Sequence, residues 1–274
     1  MLPSALCLGL ALVLVLAAGC AERAARFSDR ARSLGFHSAL VEGEGFRHMT
    51  FRRGESASRA SGALHVYLDG DGTPWEAGRP AVDPTPRDPL VLRLMALDPA
   101  PSVYLGRPCY HGLAAEPACA PALWTDARYS EAVVVSLAAA ARRLLAEEGR
   151  SSVVWLGYSG GGTLAMLVAA RLRETVGVVT LAANLDVEGW TRLHGLPPLT
   201  ASLDPSRRPP LSPGIYQRHY AGERDGVVPP AIVAAGGAPS GSLRVIPRYG
   251  HDCCWTELWP DTLAELGRAV EGRP

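Results

Sequence analysis

Three side chains in this 274-residue chain have the types and the order needed to cleave an acyl bond: Ser159, Asp225 and His251. A serine hydroxyl is a weak nucleophile until an imidazole takes its proton, and the imidazole needs a carboxylate to fix its tautomer and stabilise its charge. The serine lies in Gly157-Tyr158-Ser159-Gly160-Gly161, which matches G-x-S-x-G, a sharp strand-to-helix turn that lifts a hydroxyl above the carboxyl end of a sheet. Glycine suits both flanks because a side chain there would collide with the strand or helix beside it. The first N–H groups of the following helix are unpaired and sit at its positive end, so Gly160 is the expected donor to a developing oxyanion. A phosphate-binding reading of the same turn has no support, since the chain contains no G-x-G-x-x-G and no lysine.

Positioning these groups needs a strand end for each. Val153 to Leu156 is a short β-rich apolar run, and Leu164, Leu167, Val168 and Leu172 follow the turn at helical spacing. Ile215 to Tyr220 predicts a strand that ends in Gly222-Glu223-Arg224-Asp225-Gly226-Val227-Val228-Pro229. Leu243 to Ile246 predicts the last strand, followed by Tyr249-Gly250-His251-Asp252. Loops at one end of a parallel sheet can gather residues this far apart in sequence. Two other carboxylates compete with Asp225 for the histidine: Asp186, after the strand predicted at Val176 to Leu181, and Asp252, adjacent to His251.

The composition fits one globular catalytic domain. The chain is 47% hydrophobic, enough for a sizeable core, and its 27 basic residues balance 27 acidic ones, which leaves no electrostatic footprint for nucleic acid. Phe36 to Val41 and Phe46 to Arg53 alternate around Glu42-Gly43-Glu44-Gly45 and predict an edge hairpin. Ala63 to Leu68 and Ser102 to Leu105 predict buried strands, with a short apolar segment at Val91 to Leu97 between them. Helices are expected from about Asp126 to Glu148 and from Trp255 to Val270. The proline-rich stretch from Ala182 to Pro213 reads as a long excursion that lines a substrate pocket or simply covers the surface. His37, His48, His194 and His219 show no metal-ligand spacing, so neither a metal nor a cofactor is expected.

The N-terminus reads as an export signal. Ala5 to Ala18 is apolar but short for a membrane span, and it ends in Leu16-Ala17-Ala18-Gly19-Cys20, which resembles a bacterial lipobox. The reading is a lipoprotein signal peptide at 1–19, lipid attached at Cys20, an arginine-rich tether over 20–35, and the folded domain over 36–274. The expected location is the bacterial cell envelope, anchored by lipid and facing the periplasm or exterior. In such an oxidising compartment Cys109 and Cys119, which bracket a short loop, are expected to form a disulfide, and Cys253 and Cys254 to remain core thiols.

From about Phe36 onward the sequence resembles the α/β-hydrolase superfamily, whose serine, acid and histidine follow one another in this chain order. More narrowly it is similar to exported bacterial α/β-hydrolase lipoproteins that carry a Gly-Asp-Gly turn after the third strand, a Trp-Thr-x-x-Arg-Tyr-Ser element, here Trp124 to Ser130, and a His-x-Cys-Cys-Trp ending, here His251 to Trp255. The resemblance implies a mainly parallel eight-stranded sheet with helices on both faces. It also implies a second oxyanion donor in the loop after the third strand, where Asp69-Gly70-Asp71 stands, with Asp71 as the donor. The leading expectation is a serine hydrolase acting on esters or related acyl groups of small or lipid-like substrates. The alternative is a cell-envelope binding or assembly protein that keeps the fold without turnover.

Overall fold

The computed structural model describes residues 22–53 and 62–271. Residues 1–19 and Cys20, the expected signal peptide and lipid-attachment site, lie outside them. Residues 22–33 form helix α1, followed by the hairpin β1 (Phe36–Glu42) and β2 (Arg47–Arg53) and the buried strand β3 (Leu64–Leu68). A two-residue ribbon, β4 (Trp75–Glu76) and β5 (Arg79–Pro80), precedes α2 (Leu90–Ala96) and β6 (Ser102–Leu105). Then come α3 (Glu131–Glu147), β7 (Val153–Tyr158), α4 (Gly160–Ala169), β8 (Thr175–Leu181), α5 (Val187–Leu193), β9 (Tyr216–Gly222), α6 (Pro230–Ala234), β10 (Leu243–Ile246) and α7 (Trp255–Glu271).

Eight strands form one sheet in the order β1-β2-β6-β3-β7-β8-β9-β10, antiparallel at the β1-β2 and β2-β6 pairs and parallel from β6 to β10. Alternation along the central strands explains the two cores. Leu64, Val66 and Leu68 of β3 and Val153 and Trp155 of β7 pack under α3 and α4. Tyr67, Val154 and Leu156 point the other way, against α1, α2 and α7. Both faces are covered, so the central strands β3, β7 and β8 are mostly apolar and buried, with only His65 and the threonines of β8 as buried polar residues.

Several expectations change. The arginine-rich stretch expected as a tether is α1, a docked helix: Phe27 and Ala31, four apart and so on one face, are buried, and Phe27 stacks on Phe51, Tyr104 and His111 with ring centroids 4.6 to 5.5 Å apart. The helix expected from Asp126 begins at Glu131, after a 3₁₀ turn at Pro121–Trp124, and the apolar segment at Val91 to Leu97 is helical. The excursion between β8 and β9 contains α5, whose Trp190, with His194 just past its end, bonds the Val227 carbonyl in the loop of Asp225. Its second half runs back along α4 and helps to line a cleft of about 900 Å³ with Met166, Leu167, Leu203, Ile215 and Gln217, and no member of the Ser159 cluster lines that cleft.

Cysteine pairing agrees with the sequence at one pair and departs from it at the other. Cys109 and Cys119 are bonded, with Cα atoms 5.5 Å apart. Cys253 and Cys254, expected as core thiols, are bonded to each other across a cis peptide, and Cys253 is exposed. The pair sits in the surface turn that leads into α7, outside the core that the expectation assumed. Among the described residues no helix is long and apolar enough to cross a membrane.

Candidate active site

β7 and α4 meet at Ser159, whose φ of 51° and ψ of −126° lie in a region that residues other than glycine rarely occupy. The turn survives because its neighbours are small. A Cβ on Gly157 would lie 2.5 Å from the Gly161 carbonyl oxygen, and one on Gly161 would overlap the Leu68 carbonyl oxygen. Ser159 caps α4, so the Gly160 N–H lies in the helix's first turn, without an i−4 partner.

The three side chains singled out by sequence converge. The Ser159 hydroxyl is 3.1 Å from His251 Nε2, and His251 Nδ1 is 2.8 Å from Asp225 Oδ2. Asp225 is buried, and its other oxygen accepts the Val227 and Val228 N–H groups at 2.8 and 2.7 Å, which fixes the carboxylate. His251 is fixed from behind: its carbonyl accepts the indole N–H of Trp255, which is fully buried, and its ring packs on Tyr158 at 5.2 Å. The rivals are occupied elsewhere. Asp186 caps α5 by accepting the Gly189 N–H at 2.8 Å, and Asp252 accepts the Tyr158 hydroxyl at 2.6 Å.

The turn after β3 passes over the serine. A Cβ on Gly70 would stand 3.4 Å from Ser159 Cβ, and the next residue, Asp71, lies against Gly160. The Asp71 carboxylate accepts from Arg107 Nη2 at 2.7 Å, from Arg128 Nη1 at 2.8 Å, and from the Tyr129 hydroxyl at 2.8 and 2.7 Å on its two oxygens. Burial alone would raise this carboxyl; the charges of Arg107 and Arg128, together with the hydrogen bonds from Arg128 and Tyr129, overcome that and hold it at about 2. Asp69 is the opposite case. Burial pushes it up to about 7, against the Gly70 N–H and the more distant Arg107.

Arg107, Arg128 and Tyr129 were missed as site residues, although Arg128 and Tyr129 belong to the Trp124-to-Ser130 element that carried the resemblance. The histidines outside the cluster serve the fold. His48 bonds the Gly106 carbonyl and Ser136, and burial lowers it to about 4; His219 bonds Thr180 and is lowered similarly. No group of three or more potential metal ligands occurs among the described residues.

The arrangement resembles solved structures with little sequence identity. A bacterial membrane phospholipase A, described as a virulence factor, superposes with a TM-score of 0.57 at 16% identity over 98% of this chain and 99% of that one. An esterase of Pyrococcus furiosus gives 0.56 at 14% over 88% and 94%. A serine hydrolase without a lid from Xanthomonas campestris gives 0.52 at 11% over 86% and 94%. No protein-family model and no curated protein matches the chain by sequence. With the sheet order and helix layers above, these likenesses establish the α/β-hydrolase fold.

Proposed function

We propose that this α/β-hydrolase-fold protein is a serine hydrolase of carboxylic esters or related acyl groups, working through an acyl-enzyme. The observation that carries the reading is the continuous chain Ser159 Oγ, His251 Nε2, His251 Nδ1, Asp225 Oδ2, with contacts of 3.1 and 2.8 Å. His251 takes the Ser159 proton as the oxygen adds to the substrate carbonyl, and Asp225 stabilises the resulting imidazolium. The carbonyl oxygen, now anionic, is received by the Gly160 N–H and the Asp71 N–H. Collapse expels the alcohol, which takes the proton from His251. Water then repeats the sequence on the acyl-enzyme and releases the acid. That the esterase and the phospholipase share this fold supports ester or lipid-like substrates.

A fluorophosphonate probe tests the class: it should label Ser159, located by peptide mapping, and Ser159→Ala should lose both labelling and ester hydrolysis, the latter by about 10⁶-fold. An acyl-chain series of p-nitrophenyl esters then sizes the acyl pocket. Unchanged hydrolysis by Ser159→Ala refutes the mechanism.

We also propose export and lipid attachment at Cys20, on the strength of Leu16 to Cys20. The full-length protein should then partition with membranes, and Cys20→Ala should be released or left unprocessed. Equal recovery of both forms in the soluble periplasmic fraction rejects the anchor.

A further inference from the structure

The tight cluster around Asp71 has no counterpart in the three-residue mechanism. Three side chains from two separate loops converge on one carboxylate: Arg107 follows β6, and Arg128 and Tyr129 precede α3. Its anchors are themselves held. Arg128 Nε donates to the Thr125 carbonyl at 2.6 Å, and the Arg107 guanidinium lies over the Tyr110 and Tyr129 rings at 5.7 and 5.5 Å. The backbone of Asp71 is tied as well, because the Tyr110 hydroxyl donates to its carbonyl at 3.0 Å. Both guanidiniums are buried, with side-chain exposures of 4% and 7%.

Buried ion pairs are poor sources of net stability, because removing the charges from water offsets most of their attraction. An apolar cluster would pack this space at lower cost. What the ions supply is position and sign. The carboxylate fills the space that a Cβ on Gly160 would need, so its placement sets how closely the turn after β3 approaches the first turn of α4. Two guanidiniums against one carboxylate also leave positive charge in excess, diminished as the nearby Asp69 ionises, in a setting of low dielectric where it counts for more than in water.

We propose that Arg107, Arg128 and Tyr129 are positioning residues that act through the Asp71 side chain to set the oxyanion-binding loop and to give it a net positive charge. The inference rests on the hydrolase reading above. Without its anchors Asp71 would bring an uncompensated negative charge to the place where an oxyanion forms, and its N–H would lose a fixed direction.

The test uses the purified protein with p-nitrophenyl butyrate and a fluorophosphonate, whose phosphoryl oxygen occupies the oxyanion position after reaction. Asp71→Asn and Tyr129→Phe should each lower kcat by roughly 10- to 100-fold with little change in KM, as expected for a reacting group displaced by a fraction of an ångström. Phosphonylation should slow by a similar factor. Arg128→Lys should recover part of the activity lost in Arg128→Met. Near-UV circular dichroism checks the fold, and if Asp71→Asn fails to fold, Tyr129→Phe decides alone, because it removes one hydroxyl and keeps the buried ring. Folded variants with kcat within about twofold of wild type, or with the whole loss in KM, overturn the positioning role while the hydrolase reading stands. A wild-type protein that neither labels nor hydrolyses overturns both.

Discussion

The carboxylate of Asp71 occupies the place of the side chain that Gly160 lacks: a Cβ at position 160 would overlap Asp71 Oδ1 and lie 2.5 Å from the Tyr129 hydroxyl oxygen. The first two of the three glycines after Ser159 are therefore there for different reasons, Gly161 to clear the Leu68 carbonyl and Gly160 to admit an ionised side chain. Gly160→Ala should push the carboxylate away from the elbow. The expected outcome is a loss of about 1 to 3 kcal/mol of stability from overpacking, and a fall in kcat of roughly 10- to 100-fold. Thermal unfolding and ester kinetics measure both; an alanine variant with wild-type kcat would mean that the turn after β3 moves freely.

Asp225, buried and bonded to His251, is expected to be the acid of the relay. Asp225→Asn should fold and lose up to about 10⁴ in kcat, because the amide holds the imidazole in the wrong tautomer. Asp186→Asn and Asp252→Asn should stay within about tenfold of wild type. Steady-state kinetics of the three variants decide the assignment, and a large loss confined to Asp186→Asn or Asp252→Asn reverses it.

Asp69 gives stability a dependence on pH whose sign can be worked out. Its folded carboxyl titrates at about 7, against an ordinary value of 3.8, so between these limits the folded state binds more protons than the unfolded state. Stability from this group is fully present below about pH 4 and is lost as pH rises through about 7. The loss is on the order of a few kcal/mol, reached through desolvation of the buried anion. Asp69→Asn should remove this decline, visible as a smaller fall in denaturation midpoint between pH 5 and 8; equal slopes in the two proteins would show that Asp69 ionises without penalty.

The bond between Cys109 and Cys119 braces the loop that carries Arg107 and Tyr110, both partners of Asp71. Breaking it in Cys109→Ser should cost about 2 to 3 kcal/mol, the chain-entropy value for a short loop, and should lower kcat through a looser Asp71. Peptide mapping without reduction and thermal unfolding check the first part. Finding both cysteines alkylatable in oxidised protein refutes the bond.

Sequence made the Ser159, Asp225 and His251 cluster legible because its logic is local: each residue follows a short β-type run, buried before Ser159 and only partly so before His251, and small residues mark the turns. The same runs gave the sheet. The Asp71 cluster was not legible because arginine is ordinarily a surface residue, and nothing in the spacing of Asp71, Arg107 and Arg128 shows that two loops fold back onto a third. For α1 a signal was present: Phe27 and Ala31 stand four apart among arginines, but the charge density suggested a solvated segment. The excursion after β8 hid α5 because its prolines dominate the composition while Val187–Leu193 lies in the proline-free stretch before them.

Docking of α1 sets a leash length. Its first turn is fastened at the carboxyl end of the sheet, where Arg23 donates to the Asp83 carbonyl and to Glu76, and Ala24 lies under Gly112. Only residue 21 separates Cys20 from the described helix, a span of at most about 7 Å even when extended. If Cys20 carries the proposed lipid, little free chain lies between the bilayer and the folded domain. The helix is fastened at the end of the sheet that also carries Ser159, so a lipid there, as proposed above, would hold that end of the domain near the bilayer.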